Sequence, residues 1–338
     1  MKKVFINSAI SISAQDTFES DGFLNEIKKI SGKTSAAHSL HYKDYLAPAK
    51  LRRMATGVKM AVTSASRALK IANISCPDAI LTGTGMGCIE DTENFLNAII
   101  SNEEQFLTPT AFIQSTHNTA GAQIALDWKC NGYNNTYSHG SLSFEWAVLD
   151  AQLLLQQEEA ENVLVGGVDE LGNEIINYTR MMEDDGLGIQ VPFGEGASFF
   201  VMSRARNEKS IELMDIEVCH TIHLSAIQDN LKNFLTKNDV QLSEIDIFGT
   251  GRNGDVFDDY YDRSAQLFEN ITELHYKHLS GEFYTSSAFG LWTAFEILVR
   301  QELPEALIYK GESKSKINKI LLYNQFKGIH HSFILLKR

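Results

Sequence analysis

Hydrophobic and polar residues follow two different periods along this chain. Apolar runs typical of strands cover Val4 to Ile12, Ala79 to Thr82 and Asn162 to Asp169. Patterns with the roughly 3.6-residue period of a helix run from Leu51 to Ile71 and from Ser143 to Gln157. Because strands that alternate with helices are typical of parallel sheets, the pattern predicts an α/β protein.

The second half of the chain repeats the order of strands and helices found in the first half. Its predicted strands are Ile211 to Ile222, Ile245 to Phe248, Ile320 to Tyr323 and Ser332 to Leu336, and its predicted helices are Ile227 to Asn238, Asp258 to Phe268 and Thr285 to Arg300. No linker rich in Pro, Gly or Ser separates the two parts. We therefore expect a duplicated α/β unit, with halves at residues 1–208 and 209–338 packed as one body.

A sharp turn is predicted between Ser138 and Phe144, where a short strand pattern meets the start of a helix. Gly140 allows the chain to turn tightly, and Ser141 follows it directly. The N-terminus of a helix offers free N–H groups and a partial positive charge, which activate a nucleophile and stabilise an oxyanion. Ser141 is therefore a candidate nucleophile.

Composition narrows the range of partners and compartments. The chain has 338 residues, 43% of them hydrophobic, and a formal net charge of −13, which argues against a nucleic-acid-binding surface. No apolar run reaches the roughly 18 to 20 residues that cross a bilayer. The start of the chain runs straight into a strand pattern without a signal-type apolar core. We expect a cytoplasmic protein without a membrane span.

The sequence predicts neither a cofactor nor a metal. Cys76, Cys88, Cys130 and Cys219 are scattered without CxxC pairing, which argues against a zinc site and a secreted disulfide framework. We expect them to be reduced, buried thiols. The run Gly83 to Gly87 invites a dinucleotide hypothesis, but a cysteine occupies the place of the third glycine in the G-x-G-x-x-G fingerprint.

Eight landmarks occur in an order that resembles the β-ketoacyl-acyl carrier protein synthases. They are Gly83 to Gly87, Pro109 to Phe112, the turn at Ser141, Val165 to Glu170, Gly194 to Ala197, Ile245 to Gly251, Lys277 to Gly281 and Phe326 to Gly328. The resemblance runs from about Lys3 to Lys337. It implies the thiolase-type fold, in which two similar five-stranded halves form an αβαβα sandwich that is normally dimeric.

The resemblance also shows where the chain departs from the family. In the family, a cysteine at the strand–helix turn takes the acyl chain, and two histidines assist decarboxylation of the malonyl unit and stabilise the enolate. The resemblance places Ser141 at the cysteine, and Phe248 and Glu282 at the two histidines, while Lys277 is retained. The closing glycine-rich loop is altered to Phe326-Lys327-Gly328-Ile329-His330, so the gate and oxyanion region at Phe326, Gly328 and His330 also differs.

These replacements predict a degenerate catalytic site on an intact scaffold. A serine hydroxyl has a far higher pKa than the ~8.5 of cysteine, so Ser141 needs a nearby general base. Phe248 cannot donate a hydrogen bond to an enolate, and Glu282 places a negative charge beside one. The sequence therefore assigns no catalytic residue.

The family contains such subunits, the chain length factors, and the chain looks most like them. The resemblance implies a partner of an active β-ketoacyl synthase in bacterial polyketide, aryl-polyene or fatty-acid-like biosynthesis. We expect a heterodimer with a catalytic ketosynthase subunit or a homodimer, formed through the strand near Asn135 to Ser138 and the segment Pro109 to Ala125, and contact with an acyl carrier protein. Aromatic residues near the degenerate positions either line a tunnel or fill the core: Phe144, Trp146, Phe283 and Phe289.

Two other classes remain open from the sequence. The chain can be an acyltransferase or condensing enzyme with Ser141 as nucleophile and His139 or His330 as base, and the order Ser141, Asp255, His330 also fits a hydrolase triad, although Gly-x-Ser-x-Gly is absent. A metal protein would rest on pairs of histidines: His220 with His223, His275 with His278, and His330 with His331. Residues three apart on a strand point to opposite faces, so only a helical or folded context would bring such a pair together, which argues against a site.

Overall fold

The computed structural model describes residues 2–20, 22–183 and 188–338. Its strands are β1 (Val4–Ile12), β2 (Thr34–Ser35), β3 (Ala79–Gly83), β4 (Tyr133–Tyr137), β5 (Asn162–Asp169), β6 (Phe193–Gly194), β7 (Gly196–Ser203), β8 (Ile211–His220), β9 (Ile247–Thr250), β10 (Thr272–His275), β11 (Ile308–Lys310), β12 (Lys319–Phe326) and β13 (His330–Lys337). Its helices are α1 (Pro48–Leu51), α2 (Thr56–Ala72), α3 (Ile89–Ser101), α4 (Pro109–Ser115), α5 (Thr119–Trp128), α6 (Ser143–Gln156), α7 (Asn173–Glu183), α8 (Leu224–Lys237), α9 (Asp259–Ala265), α10 (Lys277–Ser280) and α11 (Ser287–Arg300). No helix in the described ranges is both long and apolar enough to cross a membrane.

The main sheet contains the same five-strand topology twice. In the first set the order is β4-β3-β5-β7-β1, and in the second set it is β10-β9-β12-β13-β8. In each set the first three strands are parallel, and the fourth is antiparallel to both of its neighbours. Strand β11 extends the second set at its edge. The prediction of a duplicated α/β fold is therefore confirmed, and the chain crosses between the sets in the connection from β7 to β8.

Three hydrophobic clusters separate the helices into layers. Helices α2 and α5 cover the outer face of the first set of strands, and α8 and α9 cover the outer face of the second set. Helices α6 and α11 lie in the central cluster, which takes side chains from both sets. Strands β1 and β8 pair at Phe5 and Glu212 and join the two sets into one sheet. This arrangement gives the five layers of an αβαβα sandwich.

Several boundaries differ from the sequence-based prediction. The helix predicted from Leu51 to Ile71 is divided between α1 and α2, because the chain leaves helical geometry after Leu51 and α2 starts only at Thr56. Helix α7 and strand β10 were missed, because α7 is largely polar despite its amphipathic period and β10 has only four residues. The expectation of four buried thiols is wrong, because Cys76 is exposed and Cys219 is only partly buried.

The carboxylate of Asp169, at the end of β5, joins three segments of the chain. Its Oδ1 atom accepts hydrogen bonds from Thr84 Oγ1 at 3.0 Å and from the backbone N–H groups of Gly85 at 2.8 Å and Met86 at 3.1 Å. Its Oδ2 atom accepts from the backbone N–H and the Oγ1 hydroxyl of Thr285, both at 2.9 Å. Burial raises the pKa of Asp169, and these donors act in the opposite direction. The side chain therefore ties the loop after β3 to the segment before α11.

Glu170, the next residue, caps two helices from one position. Its Oε2 atom accepts from the backbone N–H of Gly57 at 2.6 Å, and its Oε1 atom accepts from that of Glu90 at 3.0 Å. These groups lie in the first turns of α2 and α3, where unpaired N–H groups attract a carboxylate. This contact places the start of α2 at Thr56, and it comes from a residue more than a hundred positions away.

We expect Asp169→Ala to lower the free energy of unfolding by more than about 3 kcal/mol, because buried donors left without an acceptor cost ~1–3 kcal/mol each. Urea unfolding followed by circular dichroism measures the effect. Asp169→Asn keeps one acceptor oxygen and should lose less. Asp259→Ala is the control, because this exposed carboxylate forms only a 3.7 Å ion pair with Arg263. Equal midpoints for Asp169→Ala and the control would contradict the role assigned to Asp169.

Glu170 should make the fold less stable as the pH rises. The pKa of this carboxyl is raised from 4.5 to about 7, mainly by burial and to a smaller extent by the nearby Asp91 and Glu195. The folded state therefore binds the proton more tightly than the unfolded state, so the contribution is fully present below about pH 4.5 and is lost as the pH rises through about 7. Between pH 5.5 and 8 the loss is about 2 kcal/mol.

Urea midpoints of the wild type and Glu170→Gln at these two pH values test this contribution. The glutamine cannot titrate, so its unfolding free energy should change less with pH than that of the wild type. Glu208→Gln alters an exposed glutamate and should keep the wild-type pH dependence. The same pH dependence in all three proteins would show that Glu170 keeps an ordinary pKa in the folded state.

Candidate functional site

A cavity of about 90 Å³ lies where β5 ends, close to the segment that precedes α11. Most of its lining is apolar, and it includes Phe193, Phe283, Tyr284 and Phe326. The carboxylates of Asp169, Glu170 and Glu282 are its acidic members.

Glu282 lines this cavity and is held by hydrogen bonds from Lys277 and Asn253. Lys277 Nζ donates to Glu282 Oε1 at 3.0 Å and to Oε2 at 2.9 Å, and Asn253 Nδ2 donates to Oε2 at 2.8 Å. Lys277 and Glu282 are only 2% and 4% exposed. The network has a fixed position because Glu282 N–H donates to the carbonyl of Pro192, and the carbonyl of Glu282 accepts from Gly194 N–H. The carboxylate can accept hydrogen bonds here, and its charge is neutralised by Lys277.

The predicted turn at Ser141 is present between β4 and α6. Gly140 has a φ of 58°, a left-handed conformation that suits glycine, and residues Gly140–Leu142 form one turn of 3₁₀ helix. Ser143 Oγ closes this turn by donating to the carbonyl of Gly140 at 2.7 Å and accepting from His139 N–H at 2.8 Å. Ser141 itself is 4% exposed, and its hydroxyl has no hydrogen-bond partner among the described residues.

An aromatic ring fills the space between this turn and the cavity. A Cβ atom on Gly85 would lie 2.3 Å from Tyr284, so only glycine allows the ring to approach here. The same ring lies about 3.9 Å from the equivalent position on Gly140. Its centroid is 5.6 Å from that of Phe326, and both rings line the cavity. Tyr284 was not among the residues predicted from the sequence, and Gly85 offered the only signal for it.

Phe248 does not belong to this site. Its ring is fully buried in the outer core, with centroids 5.2 Å from Phe268 and 6.2 Å from Tyr323. The reason is the alternation along β9, which directs Ile247 into the central core and Phe248 toward α8 on the opposite face. Phe248 does not line the cavity, and Asn253, five positions later, makes the contact with Glu282.

The candidate bases for Ser141, His139 and His330, and the third triad member, Asp255, all contact other groups. His330 Nδ1 lies 2.8 Å from Nδ1 of His220, and burial together with His220 lowers its pKa. Asp255 Oδ1 accepts from the backbone N–H of Phe257 at 2.8 Å and caps a 3₁₀ turn. His139 is exposed and packs between Tyr137 and Trp146. The hydrolase triad of Ser141, Asp255 and His330 is not formed, and no described residue hydrogen-bonds Ser141 as a base.

Part of the altered gate segment, Phe326 and Lys327, lies at the cavity. The turn between β12 and β13 is closed by a hydrogen bond from Gly328 N–H to Gln325 Oε1 at 2.9 Å. His330 lies beyond this turn, against His220. Of the aromatic residues singled out in the sequence, Phe283 lines the cavity, whereas Phe144 and Phe289 belong to the central core.

The histidine pairs do not form a metal site in the described part of the chain. His275 and His278 stack with centroids 3.8 Å apart, because β10 ends at His275 and α10 begins at Lys277. This pair therefore meets because it does not lie within one strand. Burial lowers the pKa of His275 to about 3 and also lowers that of His278. The described residues contain no group of three or more His, Cys, Asp or Glu side chains arranged to hold a metal.

Comparison with solved structures shows the fold. The chain superposes on a ketosynthase bound to a hexaketide in complex with its type II polyketide acyl carrier protein (TM-score 0.81, 15% identity, 100% of this chain and 99% of that one). It also superposes on the ishigamide ketosynthase/chain length factor (0.79, 13%, 99% and 99%) and on a ketosynthase in complex with its chain length factor from Xenorhabdus doucetiae (0.74, 15%, 99% and 98%). The predicted thiolase-type sandwich is therefore confirmed.

Sequence comparison identifies the family. Comparison with curated proteins gives no match. A family model described as "Beta-ketoacyl synthase, N-terminal domain" matches residues 31–235, which is more than half of the chain. That match, together with the similarity to ketosynthase–chain length factor complexes, confirms the resemblance to the ketosynthase family that the sequence landmarks indicated. The chain belongs to the β-ketoacyl synthase family.

Proposed function

We propose that the chain is a catalytically degenerate, chain-length-factor-type subunit that pairs with an active β-ketoacyl synthase. Its product is a polyketide, an aryl polyene or a fatty-acid-like chain, delivered on an acyl carrier protein. The observation that carries the proposal is the buried network of Lys277, Glu282 and Asn253. A family enzyme needs a hydrogen-bond donor at the position of Glu282, and this carboxylate is an acceptor held by two donors.

The contacts of Ser141 support the same proposal. A serine nucleophile depends on a base within hydrogen-bond reach, and none of the described residues provides one. Tyr284 also separates the turn at Ser141 from the cavity. No geometric observation favours an acyltransferase that uses Ser141, so the degenerate subunit is the better account.

The partner surface proposed here begins at β4, the edge strand of the first set. Its outer side forms no ladder with another described strand, and such an edge is a template for pairing. Exposed apolar side chains surround this edge on the loop before α4, on α4, on α5 and on β4: Phe106, Phe112, Ile113, Leu126 and Tyr133. An apolar surface of this kind marks an interface. A ketosynthase subunit that aligns its own edge strand here would cover both features.

The solved relatives support a ketosynthase as the partner. Two of them are complexes of a ketosynthase with a chain length factor, and a third contains an acyl carrier protein with its ketosynthase. Obligate interfaces of this kind bury on the order of 2,000 to 5,000 Å². The named side chains represent only part of such an area, and a homodimer is the competing arrangement.

We expect the purified protein to form no β-ketoacyl product from acyl- and malonyl-loaded carrier protein, and Ser141→Cys to form none either. The cysteine would supply a nucleophile, but Glu282 would still accept where a donor is needed, and donors that act together have non-additive effects. Mass spectrometry of the carrier protein measures the product. A β-ketoacyl product from Ser141→Cys alone would contradict the degenerate site.

Alkylation of the introduced cysteine controls for its presence and access. Iodoacetamide should modify Ser141→Cys slowly, because the position is 4% exposed, and should modify Ser138→Cys at an exposed position at least tenfold faster. Ser141→Cys/Tyr284→Ala should react faster than Ser141→Cys, since the ring over the turn is removed. Peptide mapping separates these thiols from the native ones.

We expect Phe112→Glu and Leu126→Glu to weaken binding of the synthase encoded beside this chain by tenfold or more, since each places a charge in an apolar interface. Val256→Glu introduces the same charge at an exposed apolar position on the connection that follows β9 and should leave binding unchanged. Sedimentation of the mixed proteins measures the complex. A wild-type protein that stays monomeric alone and beside the synthase would overturn the pairing, and a homodimer that excludes the synthase would replace the heterodimer.

A further inference from the structure

Two of the four cysteines face each other at the bases of β3 and β4. The Sγ atoms of Cys76 and Cys130 are 3.0 Å apart, although 54 positions separate them in the chain. Cys76 is exposed in the connection from α2 to β3, and Cys130 is buried in the connection from α5 to β4. No role in the proposed function uses either thiol.

The register of the sheet brings these thiols together. Strands β3 and β4 are parallel neighbours, and Ala79 pairs with Tyr133. Each cysteine lies three positions before one member of this pair. Both segments therefore enter the sheet with a thiol at the same level along the strand direction. Parallel strands are about 4.8 Å apart, which is within the range of Cα separations that a disulfide bridges.

We propose that Cys76 and Cys130 are a thiol-oxidation site, at which a reversible disulfide fastens the base of β4 to the base of β3. The two Sγ atoms have to approach by only about 1 Å to reach the bonding distance of about 2.05 Å. Cys88 is buried and Cys219 is partly buried, and neither has a second thiol in contact within the described residues. The proposal is independent of the function proposed above.

The oxidant is a low-molecular-weight disulfide, such as oxidised glutathione, and the reaction has two steps. The exposed Cys76 thiolate attacks one sulfur of the small disulfide, forms a mixed disulfide and releases one small thiolate. Cys130 then attacks the sulfur of Cys76, and the second small thiolate leaves and takes up the proton of Cys130. In total, two protein thiols lose two electrons, and the small disulfide is reduced to two thiols.

The different surroundings of the thiols set this order. Burial and the neighbouring Cys76 raise the pKa of Cys130 to about 12, so this thiol is a poor nucleophile toward reagents in solution. Cys76 is the accessible member of the pair. Cys130 reacts second, because the mixed disulfide forms within direct contact of its sulfur.

A disulfide here would restrain the segment that carries the exposed apolar side chains. The residues between Cys76 and Cys130 form β3, α3, α4 and α5. Closing this loop limits the freedom of the unfolded chain, which stabilises the folded state of the oxidised protein. The bond would also fix the start of β4, since Asn131 and Gly132 alone separate Cys130 from that strand.

The test uses the full chain, reduced and then exposed to mixtures of reduced and oxidised glutathione. Oxidation should lower the number of titratable thiols in the denatured protein from four to two. Non-reducing peptide mapping should recover the peptides of Cys76 and Cys130 joined, with the loss of two hydrogen atoms. The urea midpoint of the oxidised wild type should be higher than that of the reduced form.

Single variants decide whether this pair is responsible. Cys76→Ser and Cys130→Ala should form no internal disulfide, and their urea midpoints should not respond to oxidised glutathione. Cys88→Ser is the matched control and should still form the bond between Cys76 and Cys130. Recovery of Cys76 only as a separate glutathione adduct, or of both thiols unmodified, would overturn the proposal.

Discussion

Two buried carboxylates at the end of β5 hold together the part of the fold that surrounds the cavity. Asp169 accepts five hydrogen bonds from the loop after β3 and from Thr285, which belong to different halves of the sandwich. Glu170 fixes the starts of α2 and α3 through Gly57 and Glu90. Because buried donors without acceptors are costly, these contacts allow few other arrangements of the loops. These hydrogen bonds therefore stabilise the scaffold whether or not the site is catalytic.

The same scaffold positions the side chains that make up the proposed degenerate site. Asp169 positions the segment Phe283 to Thr285, so the ring of Tyr284 is held over the turn at Ser141. Glu282 lies at the start of this segment and is neutralised by Lys277. Restoring one family residue leaves the other members of this arrangement unchanged. In the degenerate subunit proposed above, inactivity is a property of the whole segment, and a single reversion is not expected to remove it.

The sequence predicted the elements and their order well, and predicted side-chain neighbours less well. The patterns of β1 and β5 gave their bounds correctly, because β1 alternates between buried and partly buried positions and β5 is almost fully buried. The start of α2 depends on Glu170, a tertiary contact with no local signal. A sequence motif does not state which face of β9 a side chain takes, so the position of Phe248 in the outer core could not be predicted from it. Cys76 and Cys130 meet only through the register of two strands that the sequence does not reveal.

The Lys277–Glu282 pair holds part of the lining of the cavity in a fixed position. A buried ion pair contributes little net stability, but removal of one partner leaves a buried charge uncompensated, at a cost of roughly 3–5 kcal/mol. Replacement of Glu282 by an uncharged residue would leave Lys277 buried and unpaired beside Asn253. The two residues therefore constrain each other, and a change at one position requires a compensating change at the other. The burial of Lys277 is thus explained by its ion pair with Glu282.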